Sequence, residues 1–205
     1  MTETPALSGT LRLRVGDALL VVDVQRDFLP GGALPVPGGD RVLLAIKRYL
    51  ERFERAGLLA VLTRDWHPAD HVSFRAQGGP WPPHCVAGTP GAGFAPGLDL
   101  PASAQVVSKA TRPDAEAYSG FEGTELAARL RSLGIRRLFV GGLATDYCVR
   151  ATVLDALREG FEVLLLVDAV HAVDARPGDG ERALQEMLRA GARTCNHGQL
   201  AGEDA

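Results

Sequence analysis

Leu138-Phe139-Val140-Gly141-Gly142-Leu143-Ala144-Thr145-Asp146-Tyr147-Cys148-Val149-Arg150 is an apolar run that reaches two glycines and then turns polar. Residues 137–142 read as a strand. From Asp146 onward Val149, Val153, Ala156 and Leu157 recur at helical spacing, so residues 146–159 read as a helix. The run is near-continuously apolar, not alternating, which marks a strand buried on both faces of a parallel sheet. A strand passing directly into a helix also sets Cys148 among the unpaired N–H groups of a helix start. That setting is expected to lower the thiol pKa and to bind a developing oxyanion.

The same punctuation recurs outward from this stretch. Arg55-Ala56-Gly57 precedes Leu58–Thr63, Ser132-Leu133-Gly134 precedes Arg137–Gly142, and Arg158-Glu159-Gly160 precedes Glu162–Asp168. A weaker copy, Arg189-Ala190-Gly191, leads to a short segment at Arg193-Thr194-Cys195. Glycine takes the left-handed conformation that ends a helix without a Cβ penalty. Ala18–Val24 and Gln105–Ser108 complete the strands. Residues 40–56 form a helix with Leu43, Ile46, Leu50 and Phe53 on one face and Asp40 as N-cap. Ser119-Gly120-Phe121-Glu122 has capping-box spacing ahead of Leu126, Leu130 and Leu133, and a last helix over 179–190 uses Leu184, Met187 and Leu188. The class is α/β: one domain over 18–200 with a parallel, Rossmann-like sheet flanked by helices on both faces. A polar segment over 1–17 precedes it. Residues 66–104 are rich in Gly and Pro without periodicity, and loops of that length are usually functional.

A net charge of −3 over 205 residues argues against a nucleic-acid partner, because phosphate binding needs clustered Lys and Arg. Arg52, Arg55, Arg129, Arg131, Arg136 and Arg137 read as solvated helix faces and turns. No secretory signal is expected in residues 1–17, and no apolar run approaches the ~20 residues of a membrane span. Three cysteines make no disulfide framework, so a reducing cytoplasm fits the composition.

In open parallel sheets ligands bind beyond the carboxyl ends of the strands. The first strand runs into Asp23, the second into Asp65 and His67, the third into Lys109, and the fourth into Cys148. Asp23 alone reads as a strand-end turn residue, and Lys109 alone as a surface lysine. Together with a thiol they form a sensible set: the carboxylate takes and returns a proton while the ammonium separates the anions. Tyr118, in the aperiodic segment after Lys109, comes towards the same edge.

Asp65-Trp66-His67-Pro68-Ala69-Asp70-His71 is a second constellation. Residues i and i+2 of an extended segment point the same way, so Asp65 and His67 converge, and His84 returns from the long loop. One carboxylate with two imidazoles suits zinc, iron or manganese, with His71 as a further ligand or a water-holding neighbour. A hydrogen-bonded cluster of loop histidines is the alternative. Cys85 reads as a buried structural thiol and Cys195 as packing, and His171 and His197 have no evident partner.

These segments resemble the nicotinamidase branch of the isochorismatase-like cysteine hydrolases. The likeness rests on Asp23-Val24-Gln25-Arg26-Asp27-Phe28, on Asp65-Trp66-His67-Pro68 with His71, and on Trp81-Pro82-Pro83-His84-Cys85. Lys109, Ala117-Tyr118-Ser119-Gly120-Phe121 and Gly142–Val149 follow in the expected order, and the likeness spans about residues 17–195. It implies the isochorismatase-like hydrolase fold, with a metal-binding loop region over 65–104. It further implies a catalytic triad of Asp23, Lys109 and Cys148, a divalent metal (zinc first) on Asp65, His67 and His84, and His71 contributing in some relatives. A non-proline cis peptide at Leu143–Ala144 is implied, with the N–H groups of Ala144 and Cys148 as oxyanion hole. Phe28, Leu34, Trp81 and Tyr118 match the walls around a pyridine ring. The implied reaction is hydrolysis of nicotinamide to nicotinate and ammonia through a cysteine thioester, in NAD salvage, with pyrazinamide also accepted. Ala110 departs from the pattern, since relatives often have glycine there, and a slightly stiffer loop is expected. Relatives range from monomers upward, so a homo-oligomer is compatible with the sequence.

Two other readings compete. A hydrolase of a carbamoyl amide would need no pyridine-binding metal and would favour basic residues. A binding module without catalysis would not need Asp23, Lys109 and Cys148 together.

Overall fold

The computed structural model describes residues 10–201, so residues 1–9 of the expected polar segment lie outside the described residues. Six strands pair in parallel: β1 (Asp17–Val22), β2 (Leu59–Asp65), β3 (Gln105–Lys109), β4 (Arg137–Leu143), β5 (Glu162–His171) and β6 (Arg193–Cys195). Their spatial order is β3-β2-β1-β4-β5-β6. The chain therefore winds outward one way from β1 and then the other way from β4. A crevice opens where that direction reverses, beyond the carboxyl ends of β1 and β4.

β1 and β4 are buried along their whole length: beyond Asp17 and Arg137 their sequences are apolar, and those two side chains pair with each other in the interior, so Arg137 is not the solvated residue expected. Alternate residues feed two cores. Leu19, Val21, Leu62, Phe139 and Leu164 pack with α1 (Val42–Arg55) through Ile46, Tyr49, Leu50 and Phe53. On the other face, Ala18, Leu20, Val140 and Leu165 meet α2 (Leu126–Ser132), α3 (Arg150–Arg158) and α4 (Asp179–Arg189), through Leu126, Leu130, Val153, Ala156 and Met187. Val42 and Tyr49 complete the buried face of α1, with Leu43 half-buried against the same core.

Three local expectations fail. Asp40 falls inside a 3-10 turn, Gly39–Arg41, and α1 starts without a side-chain cap. The Ser119–Glu122 spacing closes a turn in place of a helix start. Ser119 Oγ accepts the Phe121 N–H at 3.1 Å and Glu122 Oε2 accepts the Tyr118 N–H at 3.2 Å. α2 begins only at Leu126. β5 runs past Asp168 to His171, because a register shift between Val140 and Gly142 lets it stay paired with β4.

Residues 66–104 hold two short 3-10 turns, Arg75–Gln77 and Pro90–Ala92, and are laced by isolated bridges. These join Gln25 to Phe94, His67 to Val86 and Phe74 to Trp81. Among the described residues, no helix is long and apolar enough to cross a membrane.

Candidate active site

The ends of β1, β2, β3 and β4 bring polar side chains to the crevice. Asp23 follows β1 in the left-handed backbone region (φ 49°). Lys109 closes β3. Cys148 lies in a π-type turn, Thr145–Val149, that widens the start of the helix continuing as α3. Lys109 Nζ sits 2.9 Å from Asp23 Oδ2 and 3.5 Å from Cys148 Sγ, and it donates to Asp65 Oδ1 at 2.5 Å and to the Ala117 carbonyl at 3.1 Å. The peptide between Leu143 and Ala144 is cis.

Burial dominates the electrostatics. It pushes the Cys148 thiol well above its ordinary range; Lys109 opposes this, while Asp23 and Asp65 add to it. The expected depression of the thiol pKa is thus corrected: two buried carboxylates and desolvation outweigh one ammonium and the helix start. Burial likewise raises the Asp23 carboxyl against the pull of Lys109. Burial disfavours the Lys109 ammonium, but Asp23 and Asp65 outweigh it and hold its pKa well above the usual value.

The second cluster is built by the long loop. His67 N–H donates to the Cys85 carbonyl at 3.0 Å and its own carbonyl accepts from Ala87 at 2.8 Å, which lays His84 beside it. Asp65 Oδ2 and His67 Nε2 are 3.7 Å apart, and ligand atoms of Asp65, His67 and His84 all lie within 4.8 Å of one another. Both ring nitrogens of His67 are buried without a hydrogen-bond partner, a costly arrangement in an interior unless an electrophile takes one of them. His84 spends Nδ1 on the Pro82 carbonyl at 2.8 Å, and burial lowers its pKa and keeps the imidazole neutral, as a ligand must be. The three residues fit a bound metal ion. His71 is not brought into this set: its Nδ1 meets Ser73 Oγ at 2.7 Å and its Nε2 meets the Ala115 carbonyl at 3.0 Å. Its ring packs against that of His67 with centroids 4.3 Å apart.

Cys148 from the first cluster and Asp65 and His84 from the second open into one cavity. Phe28, Leu34, Trp81 and Tyr118 line it, as do Asp65, His84, Ala144 and Cys148. Trp81 Nε1 donates to the Tyr118 hydroxyl at 3.1 Å, which fixes both rings. Sequence reasoning missed Tyr147 and Val173 on the same wall. Tyr147 packs edge-on to Trp81 at 5.6 Å, and an aromatic residue next to the candidate nucleophile was a usable signal. It also missed Gln25, whose buried amide accepts the Asp65 N–H at 2.7 Å and donates to the carbonyls of Asp65 and Ala92. Ala110 stands at φ 50°, a conformation suited to glycine, so the departure is a local backbone cost and not only a stiffer loop.

A model of the isochorismatase domain matches residues 17–199. The chain belongs to the isochorismatase family. Within that family it is 40% identical over 196 residues to the nicotinamidase of Escherichia coli (strain K12), covering 85% of this chain and 92% of that protein. The pyrazinamidase of Pyrococcus horikoshii, solved in complex with zinc, superposes with a TM-score of 0.85 at 57% identity, over 88% of this chain and 99% of that one. PnC1 from L. infantum, solved with nicotinate, superposes with a TM-score of 0.85 at 38% identity, over 95% of this chain and 100% of that one.

Proposed function

We propose that this isochorismatase-family protein is a nicotinamidase, hydrolysing nicotinamide to nicotinate and ammonia and accepting pyrazinamide as well. The observation that carries the reading is the shared cavity. Cys148, backed by Asp23 and Lys109, lines it together with Asp65 and His84 of the acid-imidazole cluster and the aromatic rings of Phe28, Trp81 and Tyr118. Nicotinamide is a flat neutral amide with one ring nitrogen, and those three features answer its amide, its nitrogen and its faces.

Cys148 Sγ attacks the amide carbon while its proton passes to Asp23. The resulting oxyanion accepts from the N–H groups of Ala144 and Cys148, each worth roughly 3 kcal/mol in comparable sites. Asp23 then protonates the departing ammonia, leaving a thioester on Cys148. A water attacks that thioester, giving its proton to Asp23, and nicotinate is released with the thiol restored. Lys109 stays charged throughout and orients Asp23 against Cys148. Phe28, Leu34, Trp81 and Tyr118, together with Tyr147, hold the ring. Asp65, His67 and His84 would hold a zinc ion, which when bound supplies a Lewis-acidic point for the ring nitrogen. The zinc-bound relative supports that metal. A role in pyridine-nucleotide salvage fits the reaction, and free cysteines without a disulfide framework fit a cytoplasmic setting.

Ammonia release from nicotinamide, pyrazinamide and N-carbamoylsarcosine tests the reading. Turnover of the two ring amides with none of the carbamoyl compound is expected. Turnover of N-carbamoylsarcosine alone would overturn it.

A further inference from the structure

Asp23 has two carboxylate oxygens, and Oδ2 lies 2.9 Å from Lys109 Nζ. Oδ1 accepts a hydrogen bond of 2.6 Å from Thr63 Oγ1, on β2. Neither residue has any solvent exposure, so bulk solvent does not reach this hydrogen bond. The two residues are also tied through the backbone, since the Asp23 N–H donates to the Thr63 carbonyl at 3.3 Å.

The orientation of the Thr63 side chain is itself set. Its methyl Cγ2 lies 2.7 Å from the point where a Cβ on residue 120 would stand, so it seats in the space that Gly120 leaves. The Gly120 N–H in turn donates to Thr152 Oγ1 on α3 at 3.0 Å. A β-branched side chain has few χ1 states. With its methyl seated at Gly120, the hydroxyl is left pointing at Asp23.

We propose that Thr63 is a positioning residue, whose hydroxyl holds one oxygen of Asp23 so that the other is presented to Cys148 and Lys109. Thr152 and Gly120 form the seat that holds it. This rests on the assignment of Asp23 and Cys148 made above, and it adds a residue that touches no substrate.

The test uses metal-loaded Thr63→Val, Thr63→Ser and Thr63→Ala proteins. Valine keeps the shape and removes the hydroxyl. It should lower kcat for nicotinamide about 30-fold, the scale of a hydrogen bond to a charged group. KM should stay within about twofold and metal content should be unchanged, because neither wall nor ligand is altered. Serine, which keeps the hydroxyl but lacks the methyl that seats it, should recover part of kcat. Should valine not fold, serine against alanine gives the same comparison, since both lack the methyl and only serine keeps the hydroxyl. Equal kcat for those two, or full activity in the valine variant, overturns the proposal. A second arm needs no substrate: the rate of Cys148 alkylation by iodoacetamide, read by mass spectrometry. Thr63→Val should change that rate about fivefold or more in the native background and not at all beside Asp23→Asn. The same factor in both backgrounds, or no change in either, would also overturn it. If the native protein releases no ammonia from nicotinamide, the functional reading fails while this arm still decides the role of Thr63.

Discussion

Lys109 and Asp23 meet at 2.9 Å between Nζ and Oδ2 with neither side chain exposed to solvent. The same ammonium holds Asp65 Oδ1, so a single cation balances a carboxylate from each cluster. Breaking a buried pair from one side leaves the other charge uncompensated, which costs about 3–5 kcal/mol. Here the cation anchors two such charges.

Lys109→Met should therefore lose both stability and catalysis. A loss of about 3 kcal/mol by chemical denaturation is expected. Turnover should fall by about three orders of magnitude or more, on the scale of deleting one member of a catalytic triad. A variant with native-like stability and turnover would remove Lys109 from the centre of the site.

The imidazoles divide into two kinds, and metal analysis separates them. His67 has two unsatisfied nitrogens, whereas both nitrogens of His71 are engaged. His67→Ala and His84→Ala should emerge from dialysis without stoichiometric metal. His71→Ala should retain it, with affinity weakened by no more than about 100-fold, as for groups that only orient a ligand. Metal lost equally from all three proteins would place His71 among the ligands.

The sheet was legible because buried parallel strands are written as unbroken apolar runs, and their carboxyl ends named Asp23, Asp65, Lys109 and Cys148 in order. What stayed hidden depends on contacts between distant segments. Thr63 reads as an ordinary β-former until Asp23 is placed beside it. Gln25 has no local signal for clasping the backbone of Asp65. The direction of the Cys148 shift follows from burial by residues far away in the chain, while its neighbours alone suggested the opposite sign. The Ser119–Glu122 spacing misled because those side chains satisfy a turn, with Thr152 and Glu122 taking nearby N–H groups.

The two adjacent glycines of β4 should differ sharply on substitution. Gly142 has φ 127°, and an added Cβ would stand 2.0 Å from the Val22 carbonyl oxygen in the neighbouring strand. Backbone cannot step aside there as a flexible side chain could. Gly141 would meet the Ala169 carbonyl oxygen and the tip of Ile46 only at 3.1 Å. Gly142→Ala should lose more than about 3 kcal/mol or fail to accumulate as folded protein, and Gly141→Ala about 1–2 kcal/mol. Comparable melting temperatures for the two would contradict the close approach of β1 and β4.

Alkaline stability should report on Tyr49. Its hydroxyl donates to Asp168 Oδ1 at 2.8 Å; burial, and then Asp168, push its pKa upward. The unfolded chain releases this proton near pH ~10, while the folded protein keeps it. The folded pKa is raised, so the linked stability is complete below about pH 10 and is lost as pH climbs beyond it, by up to ~1.4 kcal/mol per unit. Tyr49→Phe cannot ionise. At neutral pH it should cost only about 1 kcal/mol, because Asp168 keeps the His197 N–H at 3.0 Å on its other oxygen. Denaturant titrations from about pH 8 to about pH 11 should show the native protein losing stability faster than the variant, with the gap closing as pH rises. Other tyrosines titrate in both proteins, so the difference between the two curves isolates Tyr49. Parallel curves throughout that range would mean the phenol is not held neutral by the fold.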